Sequence, residues 1–154
     1  MRKLSLIPLL SLIFMLNVAS MCSNDDDNSS SSDPTPVINA ASSGTWRITF
    51  YEDDGTNETY HFTGYNFTFG ASNVLTASNG TNTYAGVWSV TNSNSNDDSS
   101  SNDLDFNIMF SSPAVFADEL TDDWDIISYS DTKIQLVDVS GGNGGTDYLT
   151  FEKN

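Results

Sequence analysis

The chain contains one histidine and one cysteine. The side chains able to act as nucleophile, general base or soft metal ligand therefore come down to His61, Cys22 and the carboxylates. His61 lies between Tyr60 and Phe62, in a run that reads as a strand, so period two turns it to the outer face. Cysteine–histidine zinc sites need several donors at close spacing, and His61 with the distant Cys22 cannot supply them. No serine sits in a Gly-x-Ser-x-Gly elbow, and a triad would need His61 to meet a serine and an acid by chance. Glycoside hydrolysis needs two carboxyls facing each other across a substrate. Asp53-Asp54, Asp97-Asp98, Asp118-Glu119 and Asp122-Asp123 are instead adjacent pairs in turn-like sequence, and they read as solvated turns. The run Asp53-Asp54-Gly55-Thr56-Asn57-Glu58 offers hard oxygen donors without EF-hand spacing, which suits weak divalent-ion binding at most. The glycines from Gly141 to Gly145 lack the lysine and following helix of a phosphate cradle. The expectation is a non-enzymatic protein with no catalytic residue, no metal site and no cofactor.

Charge narrows the partners. The 154 residues carry a formal net charge of −16. Arg2 and Lys3 stand at the extreme N-terminus, leaving only Arg47, Lys133 and Lys153 to face the chain's 21 carboxylates downstream. Such a surface repels nucleic acid. Acidity alone can mean disorder, but nine Phe, six Tyr and three Trp supply enough apolar surface to offset chain entropy. The acid decorates one folded domain.

The first twenty-odd residues have the texture of an export signal. Met1-Arg2-Lys3 is a positive leader, and Leu4 to Leu16 is apolar apart from Ser5, Pro8 and Ser11, too short to span a bilayer as a helix. Val18-Ala19-Ser20-Met21-Cys22 follows and resembles a lipobox. That resemblance implies cleavage before Cys22, its acylation, and attachment to the outer membrane through its acyl chains. Ser23, Asn24, Asp25, Asp26 and Asp27 resemble the acidic stretch that certain Gram-negative groups use to send lipoproteins to the cell surface. The same residues also read as the start of a polar linker, and the two readings are compatible. The organisation expected is a signal peptide over 1–21, an acylated cysteine and disordered Ser/Asp/Pro tether over 22–43, and a folded domain over 44–154.

From Gly44 the chain alternates. Trp46, Ile48 and Phe50 share one parity, Tyr60 and Phe62 another run, and Tyr65, Phe67 and Phe69 follow after a slip near Gly64 that predicts a bulge or bend. Val74 to Ala77 is a short strand, Asn79-Gly80 a hairpin turn, and Tyr84, Trp88 and Val90 the inward row of the next strand. Leu104, Phe106, Ile108 and Phe110 give the cleanest alternation. Pro113 to Asp122 suits a short helix or turn, and 124–129, 133–139 and 146–152 read as three more strands. The fold class is all-β. An antiparallel eight-stranded up-and-down barrel removes every exposed strand edge, and a two-sheet β-sandwich is the alternative.

Gly44-Thr45-Trp46 at the start of the first strand resembles the Gly-x-Trp of lipocalins. The strand count and the closing Leu149-Thr150-Phe151-Glu152 are similar to the short lipocalin-like domains of bacterial lipoproteins. The resemblance implies that Gly44 and Trp46 close one barrel end; the inward Phe50, Phe62, Phe67, Trp88 and Phe106 are the candidate lining for a small apolar ligand, and their bulk favours a filled interior. Two functions follow. One is a binding module for a small ligand or for a surface protein or glycan. The other is a purely structural or interaction lipoprotein whose barrel is filled by its own aromatics. Neither reading sets an oligomeric state.

Overall fold

A computed structural model describes residues 33–92, 104–140 and 144–154. Cys22, the stretch Ser23 to Asp27 and the signal segment lie outside the described residues. Alternating apolar residues and Gly/Asn turns give nine strands in the described chain: β1 (Trp46–Asp53), β2 (Thr56–Asn57), β3 (Asn66–Phe69), β4 (Val74–Ser78), β5 (Thr83–Asn92), β6 (Leu104–Phe110), β7 (Asp122–Tyr129), β8 (Lys133–Val139) and β9 (Thr146–Lys153). Every pairing is antiparallel, and neighbours follow chain order from β3 to β9. β1 pairs with β9 along its length and with β3 at Trp46↔Phe67, which closes an eight-stranded barrel. The two-residue β2 is a spur folded back on the end of β1.

The β1–β3 seam is held by little backbone pairing, and side chains complete it. The Asn154 side-chain amide donates to Asn66 Oδ1 at 2.7 Å and to Thr45 Oγ1 at 3.1 Å. A 3-10 turn over Thr59–Phe62 covers the rest: the Tyr51 N–H donates to Thr59 Oγ1 at 2.8 Å, and the Glu58 N–H to the Tyr51 carbonyl at 3.0 Å. Tyr60 to Phe62 is therefore helical where alternation predicts a strand. Tyr60 is 66% exposed, and Phe62 is buried.

Register shifts correct a second expectation. Ile48 pairs with Phe151 and Phe50 with Thr150, so Thr49 is an extra residue on β1. One inserted residue reverses the phase of everything beyond it. Tyr51, not Phe50, continues the inward row of Trp46 and Ile48, and Phe50 is only half-buried.

Both ends of the barrel are stoppered. At one end lies α1 (Thr35–Ala41), with Val37, Ala40 and Ala41 buried. Residues 35–41, expected to belong to the tether over 22–43, are thus helical. Seven residues are too few to be helical in isolation; Pro36 in the first turn lacks only an N–H that has no helical partner there, and burial of Val37 and Ala41 against the barrel holds the helix. At the other end lies α2 (Ala114–Glu119), where the sequence allows a helix or turn. Its buried Phe116 meets the rings of Phe62, Tyr65, Phe67, Tyr84 and Phe110 at centroid distances of 5.0 to 5.9 Å. No described helix is long and apolar enough to cross a membrane.

Candidate binding sites around a filled barrel

The interior is occupied by the protein's own rings. Phe67 packs edge-on to Phe151 at 5.5 Å, Phe69 to Phe106 and to Phe151 at 5.3 Å, and Trp88 stacks on Phe106 at 5.8 Å. Edge-to-face contacts at such distances are the preferred packing of aromatic quadrupoles. Phe62, Phe67, Trp88 and Phe106, expected to line a ligand space, are buried in this one continuous core. Phe50 has left it through the Thr49 bulge. Trp46 is fully buried, and Gly44, two residues before it, has φ +94°, a left-handed conformation that glycine adopts freely.

All three tryptophans satisfy their indole N–H on a backbone carbonyl of a segment that closes or bends the barrel. Trp46 donates to Ala41 at 2.8 Å, Trp88 to Gly70 at 3.0 Å and Trp124 to Leu120 at 3.2 Å. Among the described residues no buried side-chain polar atom lacks a partner.

Two hollows border the core. One of about 530 Å³ is bounded by Ile38 of α1, the Gly70–Asn73 turn, Phe69 and Val90. A second of about 440 Å³ lies on the outer side of β5 and β6 against Val87, Asn107, Met109 and Asp123. Asn73, Trp88 and Ser89 border both. The wall between them is strained: Ser72 and Asn73 have φ of 57° and 63° in succession, a left-handed conformation that costs non-glycine residues on the order of 1 kcal/mol each. Asn73 is held there because its side-chain amide donates to the Trp88 carbonyl at 2.8 Å. Beside the second hollow, Val74, Val87 and Met109 pair in register across β4, β5 and β6 and are all exposed. They form an apolar row on an otherwise polar wall.

The stoppered end that carries α2 gathers acid. Glu58 precedes the 3-10 turn, His61 lies within it, and Glu119 ends α2. His61 Nδ1 stands 2.7 Å and 2.9 Å from the two carboxylate oxygens of Glu119 and 3.8 Å from Glu58 Oε2. Burial raises the Glu119 carboxyl above its usual range, against the lowering effect of His61 and with help from the nearby charges of Glu58 and Asp53. Burial likewise raises the Tyr51 hydroxyl, reinforced by Asp147, Glu119, Asp53 and Glu58. The Glu58-x-x-His61 spacing carries the signal for this cluster, because residues three apart eclipse on a 3-10 helix. Strand alternation hides it by sending His61 to an empty outer face. Asp53 ends β1 and Asp54, at φ 41°, begins the turn after it, but Asp122 and Asp123 are the first two residues of β7, paired with Ile108 and Asn107, so that pair lies in a strand where the sequence reads as a turn.

No family model matches the chain, and no curated protein matches it. Among solved structures it is similar to a DUF4847 family protein from Bacteroides vulgatus, 17% identical with a TM-score of 0.46 over 77% of this chain and 97% of that one, a likeness too distant to bear on what this chain does.

Proposed function

We propose that the chain is an exported, lipid-anchored, non-enzymatic interaction module, attached to the outer membrane through Cys22, in which the barrel is a rigid scaffold and recognition takes place on its outer wall. The observation that carries this reading is the filled interior: the residues best placed to line a ligand space are in ring contact with one another. The exposed row Val74, Val87 and Met109 beside the hollow at Asn73 is the surface that suits a protein or glycan partner at the cell exterior, since apolar groups rimmed by polar ones are typical of such surfaces. The net charge argues against nucleic acid. The chain titrated with a fluorescent fatty-acid analogue is expected to give no saturable signal. One-to-one uptake abolished by filling or reshaping the interior, for example with Phe106→Trp, would overturn the reading and make the barrel a container.

A second reading, small-molecule capture outside the barrel, is favoured by the two hollows that meet at Trp88. Their volumes fall within the roughly 300–1,000 Å³ of ordinary ligand pockets. Its test is Asn73→Gly, which keeps the backbone conformation and deletes the amide between the hollows. Unaltered binding of any small ligand found for the chain would remove the site from consideration.

A further inference from the structure

We infer that Glu58, His61 and Glu119 form a binding site for a divalent transition-metal ion, with zinc the ion it suits best. The donors come from two segments far apart in sequence, the 3-10 turn after β2 and the C-terminal end of α2, and the packing of Phe62 against Phe116 at 5.5 Å brings those segments together. One donor atom from each residue lies within 4.8 Å of the other two. Tetrahedral zinc with N and O ligands at 2.0–2.2 Å separates its donors by roughly 3.3–3.6 Å. To accept the ion, the His61–Glu119 contact at 2.7 Å must open by about 0.6–0.9 Å and the His61–Glu58 contact at 3.8 Å close by about 0.2–0.5 Å, which side-chain torsions allow. All three residues are partly shielded, with side-chain exposures of 26%, 25% and 13% for Glu58, His61 and Glu119. Donors are therefore partly desolvated, and a fourth position is left to water.

The charge balance supports the same conclusion. Two carboxylates face one imidazole. The described ion pairs of Arg47 and Lys133 are both to Glu152, on β9, and the described contacts of Lys153 are to Ser43 and the Trp46 ring, so none of these three bases is paired with this cluster. A protonated His61 offsets one of the two charges at most. A divalent cation offsets both while the imidazole serves as a neutral Nδ1 ligand, and imidazole with carboxylate is a donor set suited to zinc. The ion would clamp the turn that seals the β1–β3 seam to the helix that stoppers the barrel, so its effect would be read in stability as well as in binding.

The test uses the full chain in detergent, stripped with chelator, titrated with Zn²⁺ by calorimetry and with Co²⁺ by visible absorption. The expected result is one saturable ion per chain in the micromolar range, cobalt d–d bands, a rise in melting temperature, and a zinc-induced shift of the single His61 imidazole in NMR spectra. Glu119→Gln and Glu58→Gln, which keep shape and remove charge, should each weaken binding by about tenfold or more, as should His61→Ala. Asp54→Asn, in the neighbouring acidic turn, should leave it unchanged. Failure to saturate below about 1 mM, an unmoved His61 resonance, or zinc binding that survives both glutamine variants overturns the site. If His61→Ala does not fold, the two glutamine variants and the histidine resonance still decide it.

Discussion

The indole N–H of Trp46 donates to the carbonyl of Ala41 at 2.8 Å, joining the last residue of α1 to the first residue of β1. This bond makes the helix before the barrel part of the barrel. Trp46→Ala removes both the bond and a fully buried ring, and a buried aromatic changed to Ala costs about 3–5 kcal/mol. At about 4–8 °C per kcal/mol for a domain of this size, the melting temperature should fall by more than ten degrees. Trp46→Phe keeps most of the apolar area and loses the bond, so thermal melts should place it between parent and Ala variant.

Gly86 makes a separate prediction. A Cβ there would lie 2.5 Å from the Met109 carbonyl oxygen and 2.9 Å from the Phe110 ring. Backbone cannot retreat as a flexible side chain does. Gly86→Ala should cost about 1–3 kcal/mol, the usual range for overpacking, and denaturant unfolding should show a lower midpoint with an unchanged slope.

Asp122 should make stability fall with pH. Burial first, with the charges of Asp138 and Asp123, holds its carboxyl at about 6 despite the hydrogen bond it accepts from the Asp123 N–H. An unfolded aspartate titrates near about 3.9, so between about pH 4 and 6 the folded state holds more protons than the unfolded one. Stability therefore declines as pH rises through that window. Asp122→Asn should remove the decline and raise the melting temperature by a few degrees at pH 7, with no gain at pH 3.5. The residue is exposed by area, and solvent screening keeps the effect at about 1 kcal/mol or less.

Anchorage is tested at the other end of the chain. Cys22→Ala should release the protein from the membrane fraction. Changing Asp25, Asp26 and Asp27 to Ala should leave it anchored but shielded from protease added to intact cells. Full anchorage of the first variant would contradict lipidation, and undiminished proteolysis of the second would reduce the acidic stretch to a linker.

Legibility in the sequence follows the physics of each element. β6 and β8 occupy Leu104–Phe110 and Lys133–Val139, the spans their alternation predicts, because each is a strand with one face in the core and nothing inserted. β1 is legible only to Ile48: the Thr49 bulge leaves no compositional mark, and it exchanges Phe50 for Tyr51 in the core. α1 escapes for another reason, since Thr35–Ala41 has little helix-forming strength of its own and is helical through the docking of Val37 and Ala41. The Glu58–His61–Glu119 cluster needs both a 3-10 turn in place of a strand and a contact across 58 residues of chain. Alternation signals neither.

Xenon enters dry apolar cavities and reports interior space directly. Crystals of the domain pressurised with xenon should show no site among Phe67, Phe69, Phe106 and Phe151, whose rings already occupy the barrel axis, and any bound xenon should lie outside it, near Trp88. A well-occupied xenon atom ringed by those four phenylalanines would contradict the filled scaffold on which the proposed function rests.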